Sequence, residues 1–162
     1  MQSMGMHARQ KYSLGALAVT RHLMKLDDTG NLAHEFVRQL AFNVMAGNTD
    51  SHGKNYSLRI APDGSLSMSP LYDALTSSTH PHFDQDLAMG VVGAAYPAAV
   101  TRAHWAKLAT RSGMDADRVV TDMISLANAM RNNLDVYDAL ESKERNLALA
   151  ATLRFTSAPI RS

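Results

Sequence analysis

The chain has 162 residues, 46% hydrophobic and 19% charged, a composition that suits one folded domain of ordinary size rather than a disordered chain, with disorder expected at most at the termini. Lys and Arg number 16 against 15 Asp and Glu, with no basic run, so nothing marks a surface that wraps DNA or adsorbs to a membrane. Cysteine is absent, which removes disulfides, thiolate nucleophiles and Cys-type zinc sites. No stretch approaches the ~18 continuous apolar residues of a membrane span, and "MQSMGMHARQKY" lacks a signal-peptide core, so a cytoplasmic protein without direct nucleic-acid contact is expected.

In chain order, Leu14, Leu17, Ala18 and Leu23 recur at helical spacing, and "LDDTGN" ends that first helix near Leu26. Phe36, Leu40 and Val44 repeat every four residues, widened by Val37 and Ala41, and Gly47 stands where a helix terminates; a buried helix over about 31–46 follows. "YSLRI" (56–60) and "SLSMS" (65–69) flank the turn sequence "APDG" and predict a β-hairpin. The middle third then turns loop-rich, through "SPLYDAL", "THPHFDQD" and the apolar run "LAMGVVGAAY".

Three further helices are expected, capped by Thr101, Asp115 and Ser142. Met45, Met123, Met130 and Trp105 read as core packing, and His80, His82 and Asp84 as loop polarity rather than a zinc site. The fold class is α+β, predominantly helical, with a small hairpin and one domain over 1–162.

Chemistry concentrates in "GNTDSHGKN" (47–55), delivered by the end of the long helix. Asp50, His52 and Asn55 form D-x-H-x-x-N, and Asp73 follows eighteen residues after Asn55. A hairpin brings its ends together, so Asp73 is expected to return beside Asn55. Three oxygen-bearing side chains of this kind, one Asn and two Asp, suit a hard cation such as Mg²⁺, which keeps waters and takes other ligands from phosphates. Phosphoryl transfer asks for a carboxylate to orient the nucleophile and for groups that hold metal; Asp50, Asn55 and Asp73 are of the right types. Lys54 suits a phosphate oxygen, while His52 could donate to a phosphate or to a backbone carbonyl. No base–orienter pair is identifiable for Ser51 or Ser57, which read as ordinary loop and strand residues.

The stretch "FNVMAGNTDSHGKNYSL", with "SPLYDAL" and "DLAMG" after it, resembles the C-terminal lobe of HipA-family serine/threonine kinases, toxins of bacterial toxin–antitoxin systems, over roughly residues 12–155. The resemblance implies ATP and Mg²⁺ as cofactors and Asp50 as the catalytic base. It places His52, Gly53, Lys54 and Asn55 along the nucleotide phosphates, Tyr72 and Asp73 as the nucleotide-side pair, and the metal on Asn55 and Asp73. It further implies a protein substrate, such as a component of translation, and an antitoxin partner.

Only 49 residues precede Asp50, and "MGMHAR" and "SLGAL" do not form the Gly-rich phosphate loop and Lys of a kinase N-terminal lobe, so that lobe is expected to lie outside this chain. The uncharged "GVVGAAYPAAV" also argues against direct operator contact through that stretch. Two other readings stay open. A non-catalytic module that docks an antitoxin or a separate N-lobe would expose an apolar face drawn from "LGALAV" or "LAMGVVGAAY", and a small-molecule kinase would share D-x-H-x-x-N.

Overall fold

A computed structural model describes residues 14–80, 82 and 84–133. Helix α1 spans Ala16–Leu26 and α2 spans Asn31–Ala46. Strands β1 (Leu58–Ile60) and β2 (Leu66–Met68) form an antiparallel hairpin, and α3 (Arg102–Ser112) and α4 (Ala116–Asn133) follow, with single 3₁₀ turns at Gly53–Asn55, Ser77–Thr79 and Pro97–Ala99. The architecture is mixed, helical with one small two-stranded sheet. The segment expected to begin at Ser142 lies outside the described residues.

Helix α2 is the axis of the fold. Phe36, Leu40 and Val44 are fully buried with Val37, Ala41 and Met45, which is the stripe that the four-residue repeat predicts. Its start is organised by Asp27, whose carboxylate accepts from the Thr29 N–H and hydroxyl and from the Leu32 N–H, at 3.0, 2.6 and 3.0 Å. These bonds hold the Asp27 carboxyl below the usual carboxylate range. Its end is a left-handed Gly47 (φ +75°), after which the Asn48 N–H returns to the Asn43 carbonyl at 2.8 Å, a Schellman-type closure.

Helix α1 turns inward a face that only partly matches its spacing. Ala16, Thr20 and Leu23 are buried, whereas Ala18 is exposed and Leu17 only half-buried. Thr20 tolerates the core because its hydroxyl donates to the Ala16 carbonyl at 2.8 Å, satisfying the polar atom within its own helix.

The hairpin pairs Leu58 with Met68, Arg59 with Ser67 and Ile60 with Leu66, shorter than the two predicted five-residue strands. Gly64, at φ +83°, supplies the turn conformation, and Asp63 accepts from the Ser65 N–H. Glu35 and Gln39 of α2 pin the second strand, accepting from the Met68 N–H at 3.2 Å and donating to the Ser69 carbonyl at 2.7 Å.

In the C-terminal helices, Thr101 and Asp115 cap as expected. The Thr101 N–H donates to His104 Nδ1 at 3.2 Å, and Asp115 Oδ1 accepts from the Arg118 N–H at 3.0 Å. Trp105, Met45 and Met123 are core residues, and Met130 packs against the core. His34 of α2 meets Asp122 of α4 at 3.2 Å.

The run "LAMGVVGAAY" is not an exposed apolar face. Val91 and Ala94 exchange two backbone bonds of 3.0 Å around Val92 and Gly93, both at positive φ, so the segment folds into a tight two-residue hairpin that buries Met89, Val91 and Ala94. Leu14, Ala16 and Leu23 likewise face inward. Among the described residues the exposed large apolar side chains are Leu26, Ile60, Tyr72, Leu75 and Tyr96, so "LGALAV" contributes none of them and "LAMGVVGAAY" only its last residue, Tyr96. No helix among the described residues is long and apolar enough to cross a membrane.

Candidate functional site

The loop after α2 carries its backbone inside and its charges outside. Asn48, Thr49, Ser51, His52 and Asn55 are buried, whereas Asp50 and Lys54 are exposed. Buried polar loop residues need partners, and backbone bonds to two later segments supply several. The Thr49 N–H donates to Ser77 Oγ at 2.7 Å, the Ser78 N–H to the Gly47 carbonyl at 2.9 Å, and the Ala88 N–H to the Thr49 carbonyl at 2.8 Å. Two later segments thus grip the loop from residues 77–78 and 88.

Inside the loop, Ser51 Oγ lies 2.5 Å from the Tyr56 hydroxyl, which also accepts from Asn43 Nδ2 at 3.1 Å. The Tyr56 ring stands edge-on to Phe36, with centroids 4.9 Å apart at 72°. Burial pushes the Tyr56 phenol above its ordinary value, opposed by the bonds from Ser51 and Asn43, so it stays a neutral structural post. Ser51 is therefore held as a loop-bracing residue, as its sequence context suggested.

The chain turns through Gly53–Asn55, runs out and back along the hairpin, and returns at Leu71–Asp73. Asn55 Nδ2 donates to Asp73 Oδ2 at 2.9 Å, so the hairpin does bring these two residues together. Tyr72 closes the same end. Its hydroxyl donates to the Lys54 carbonyl at 2.6 Å, and since it carries one proton, Ser57 Oγ at 2.8 Å must be the donor in the second bond. Asp73 is exposed, buttressed from behind by Asn48 Nδ2, which donates to its carbonyl at 3.0 Å.

This donor set fits a hard cation of the Mg²⁺ type. The Asn55 amide gives its NH₂ to Asp73, which leaves its oxygen beside a carboxylate, the kind of small oxygen set that could meet a phosphate-bound metal. Among the described residues there is no group of three His, Asp or Glu side chains that could hold a metal alone. His80 and His82 are both exposed. A separate open groove of ≈ 530 Å³ lies at the far end of the hairpin, between Gly64–Ser67 and the α1–α2 corner, away from Asn55 and Asp73.

Sequence reasoning passed over Asn43, Asn48, Thr49, Tyr56 and Ser77, which hold the loop. Asn43 was the available signal, a polar residue inside the apolar stripe of α2 that needs a buried partner.

The family model for the HipA-like C-terminal domain matches residues 1–134. The chain is 25% identical over 156 residues to "Putative kinase Y4dM" of Sinorhizobium fredii, covering 96% of this chain and 36% of that protein. It is 42% identical over 50 residues to the serine/threonine-protein kinase toxin HipA of Shewanella oneidensis, covering 31% of this chain and 11% of the toxin. Its structure is similar to a chain of the Shewanella oneidensis MR-1 complex of HipA, HipB and operator DNA. The TM-score is 0.64 at 21% identity, covering 84% of this chain and 34% of that one, and the likeness is one of fold. The chain thus spans about a third or less of the length of the curated relatives it matches.

Proposed function

The chain belongs to the HipA-like C-terminal domain family, and from that premise we propose that it carries the catalytic-loop lobe of a kinase, transferring the ATP γ-phosphoryl group to a protein Ser or Thr hydroxyl. The observation that carries this reading is the meeting of Asn55 and Asp73 at 2.9 Å, with Asp50 exposed five residues before Asn55 on a loop whose backbone is clamped.

Asp50 orients the acceptor hydroxyl and accepts its proton. Asn55 and Asp73 hold Mg²⁺, which when bound neutralises charge on the phosphates. Lys54, exposed at the 3₁₀ turn, supplies a point charge to a phosphate oxygen, and Gly53 lets the backbone approach. His52 lies along the same turn and Tyr72 along the nucleotide side, where its hydroxyl also fixes the Lys54 carbonyl. The Gly-rich loop and the Lys that kinases place on the other side of the nucleotide are expected from outside these 162 residues.

A protein antitoxin is the proposed partner, supported by the HipB-containing complex to which this fold is similar. Calorimetric titration of the full chain with ATP and Mg²⁺, with Asp73→Ala beside it, tests the site. Metal-dependent binding lost in the variant is the expected result; none in a folded wild-type chain would overturn the reading for this lobe on its own.

A further inference from the structure

Asp73 sits at φ +56°, a left-handed conformation that side chains with a Cβ rarely adopt and that Asp tolerates better than most. Such a conformation persists only where its surroundings hold it. The holder is visible. Asn48 Nδ2 spends both of its hydrogens, one on the Asp73 carbonyl at 3.0 Å and one on Asn43 Oδ1 at 2.9 Å. Asn43 is in turn fixed by donating to the Tyr56 hydroxyl. Asn48 is buried and both hydrogens of its amide go to protein acceptors, so what it does for the site runs through Asp73.

We propose that Asn48 is a positioning residue, whose amide ties the left-handed backbone of Asp73 to the end of α2 and so aims the Asp73 carboxylate at Asn55 before any nucleotide arrives. The inference rests on the reading in which Asn55 and Asp73 hold the metal. A side chain that merely filled the core would not need to link segments 25 residues apart through a residue of unusual backbone conformation. Without it, the buried Asn43 oxygen and the Asp73 carbonyl both lose their donor, and Asp73 is released toward commoner φ values.

The test uses the full chain as wild type, Asn48→Ala and Asn48→Ser, with Met123→Ala as a core substitution that destabilises at a distance. Mn²⁺ affinity is read by electron paramagnetic resonance, alone and with ADP, and the Asp73 backbone by its Cα and Cβ chemical shifts and its amide–Hα coupling. The Asn48 variants should weaken Mn²⁺ binding about 10- to 100-fold, as loss of a ligand's support typically does, and move the Asp73 resonances. Met123→Ala should lower the melting temperature and leave both unchanged.

Folded Asn48 variants with wild-type Mn²⁺ affinity and unmoved Asp73 resonances would overturn the proposal. If wild type itself takes up no Mn²⁺, the metal reading fails for this chain, and the Asp73 resonances alone decide on the tether, moved in its favour and unmoved against it. If neither Asn48 variant folds, the through-hydrogen-bond coupling between Asn48 Nδ2 and the Asp73 carbonyl carbon in wild type decides, its presence supporting the tether and its absence refuting it.

Discussion

Asn55 Nδ2 lies 2.9 Å from Asp73 Oδ2, so an amide and a carboxylate from opposite ends of a hairpin form one polar pair. Asn55→Asp would set two carboxylates face to face at that distance. The expected result in metal-free buffer is a loss of about 1–2 kcal/mol, from one broken part-buried bond and like-charge repulsion. Added Mg²⁺ should restore part of it, with a larger rise in melting temperature than in wild type. Thermal melts with and without Mg²⁺ check this; a variant indifferent to Mg²⁺ would show that the pair is no cation site.

Asp50 is exposed, so Asp50→Ala should leave the chain folded, as a thermal melt checks. Loss of a general base costs about a hundred- to ten-thousand-fold in turnover. Phosphorylation of a protein substrate by the complete assembled kinase is the measurement, and near wild-type turnover would remove Asp50 from the mechanism.

Burial is the main force holding the His34 imidazole below its ordinary value of 6.5, followed by the Arg118 charge, against the opposing pull of Asp122 and Asp115. The folded state therefore binds this proton less readily than the unfolded chain. Stability is full above about pH 6.5, falls as pH drops from there toward the folded pKa, and loses nothing further from this group below it. Melting temperatures from pH 7.5 to 5 should fall less steeply in His34→Gln than in wild type. Asp122→Asn, which removes the partner at 3.2 Å, should steepen the fall. Parallel curves for all three proteins would contradict the assignment.

Val92 carries a branched side chain at φ +43°, followed by Gly93 at φ +102°. Two positive-φ centres between Val91 and Ala94 suit Asn-Gly far better than Val-Gly. Val92→Asn should stabilise by about 1 kcal/mol, read as a higher denaturant midpoint at unchanged slope. A lower midpoint would mean that the partly buried Val92 side chain contributes more by packing than its backbone costs.

How much of this was legible beforehand follows from the range of each interaction. Helix α2 runs over Asn31–Ala46 as the Phe36–Leu40–Val44 repeat and Gly47 indicate, because period and stop signal are local. The hairpin was legible from its turn, and the approach of Asp73 to Asn55 followed from closing it. On α1 the pattern misled, since Thr20 looks polar until its hydroxyl is seen to bond within its own helix. The run 87–96 looked like a sticky face because apolar continuity does not reveal a turn built on Val92 and Gly93. The amide chain from Asn43 through Asn48 to Asp73 was beyond local reading, as its last bond exists only once the hairpin has closed.

That hairpin also bears on how the chain tolerates alteration. Everything that joins its base, the Tyr72 hydroxyl on the Lys54 carbonyl and the Ser69 N–H on the Ser57 carbonyl, lies away from the exposed tip at 61–65. The eighteen-residue interval between Asn55 and Asp73 is then a matter of parity rather than of length. Residues added in matched pairs, one to each strand, lengthen the ribbon and keep Leu58 opposite Met68, whereas a single inserted residue turns one strand's inward side chains out. A peptide tag or a dye-bearing loop grafted at Asp63–Gly64 should thus ride on the molecule as a passenger.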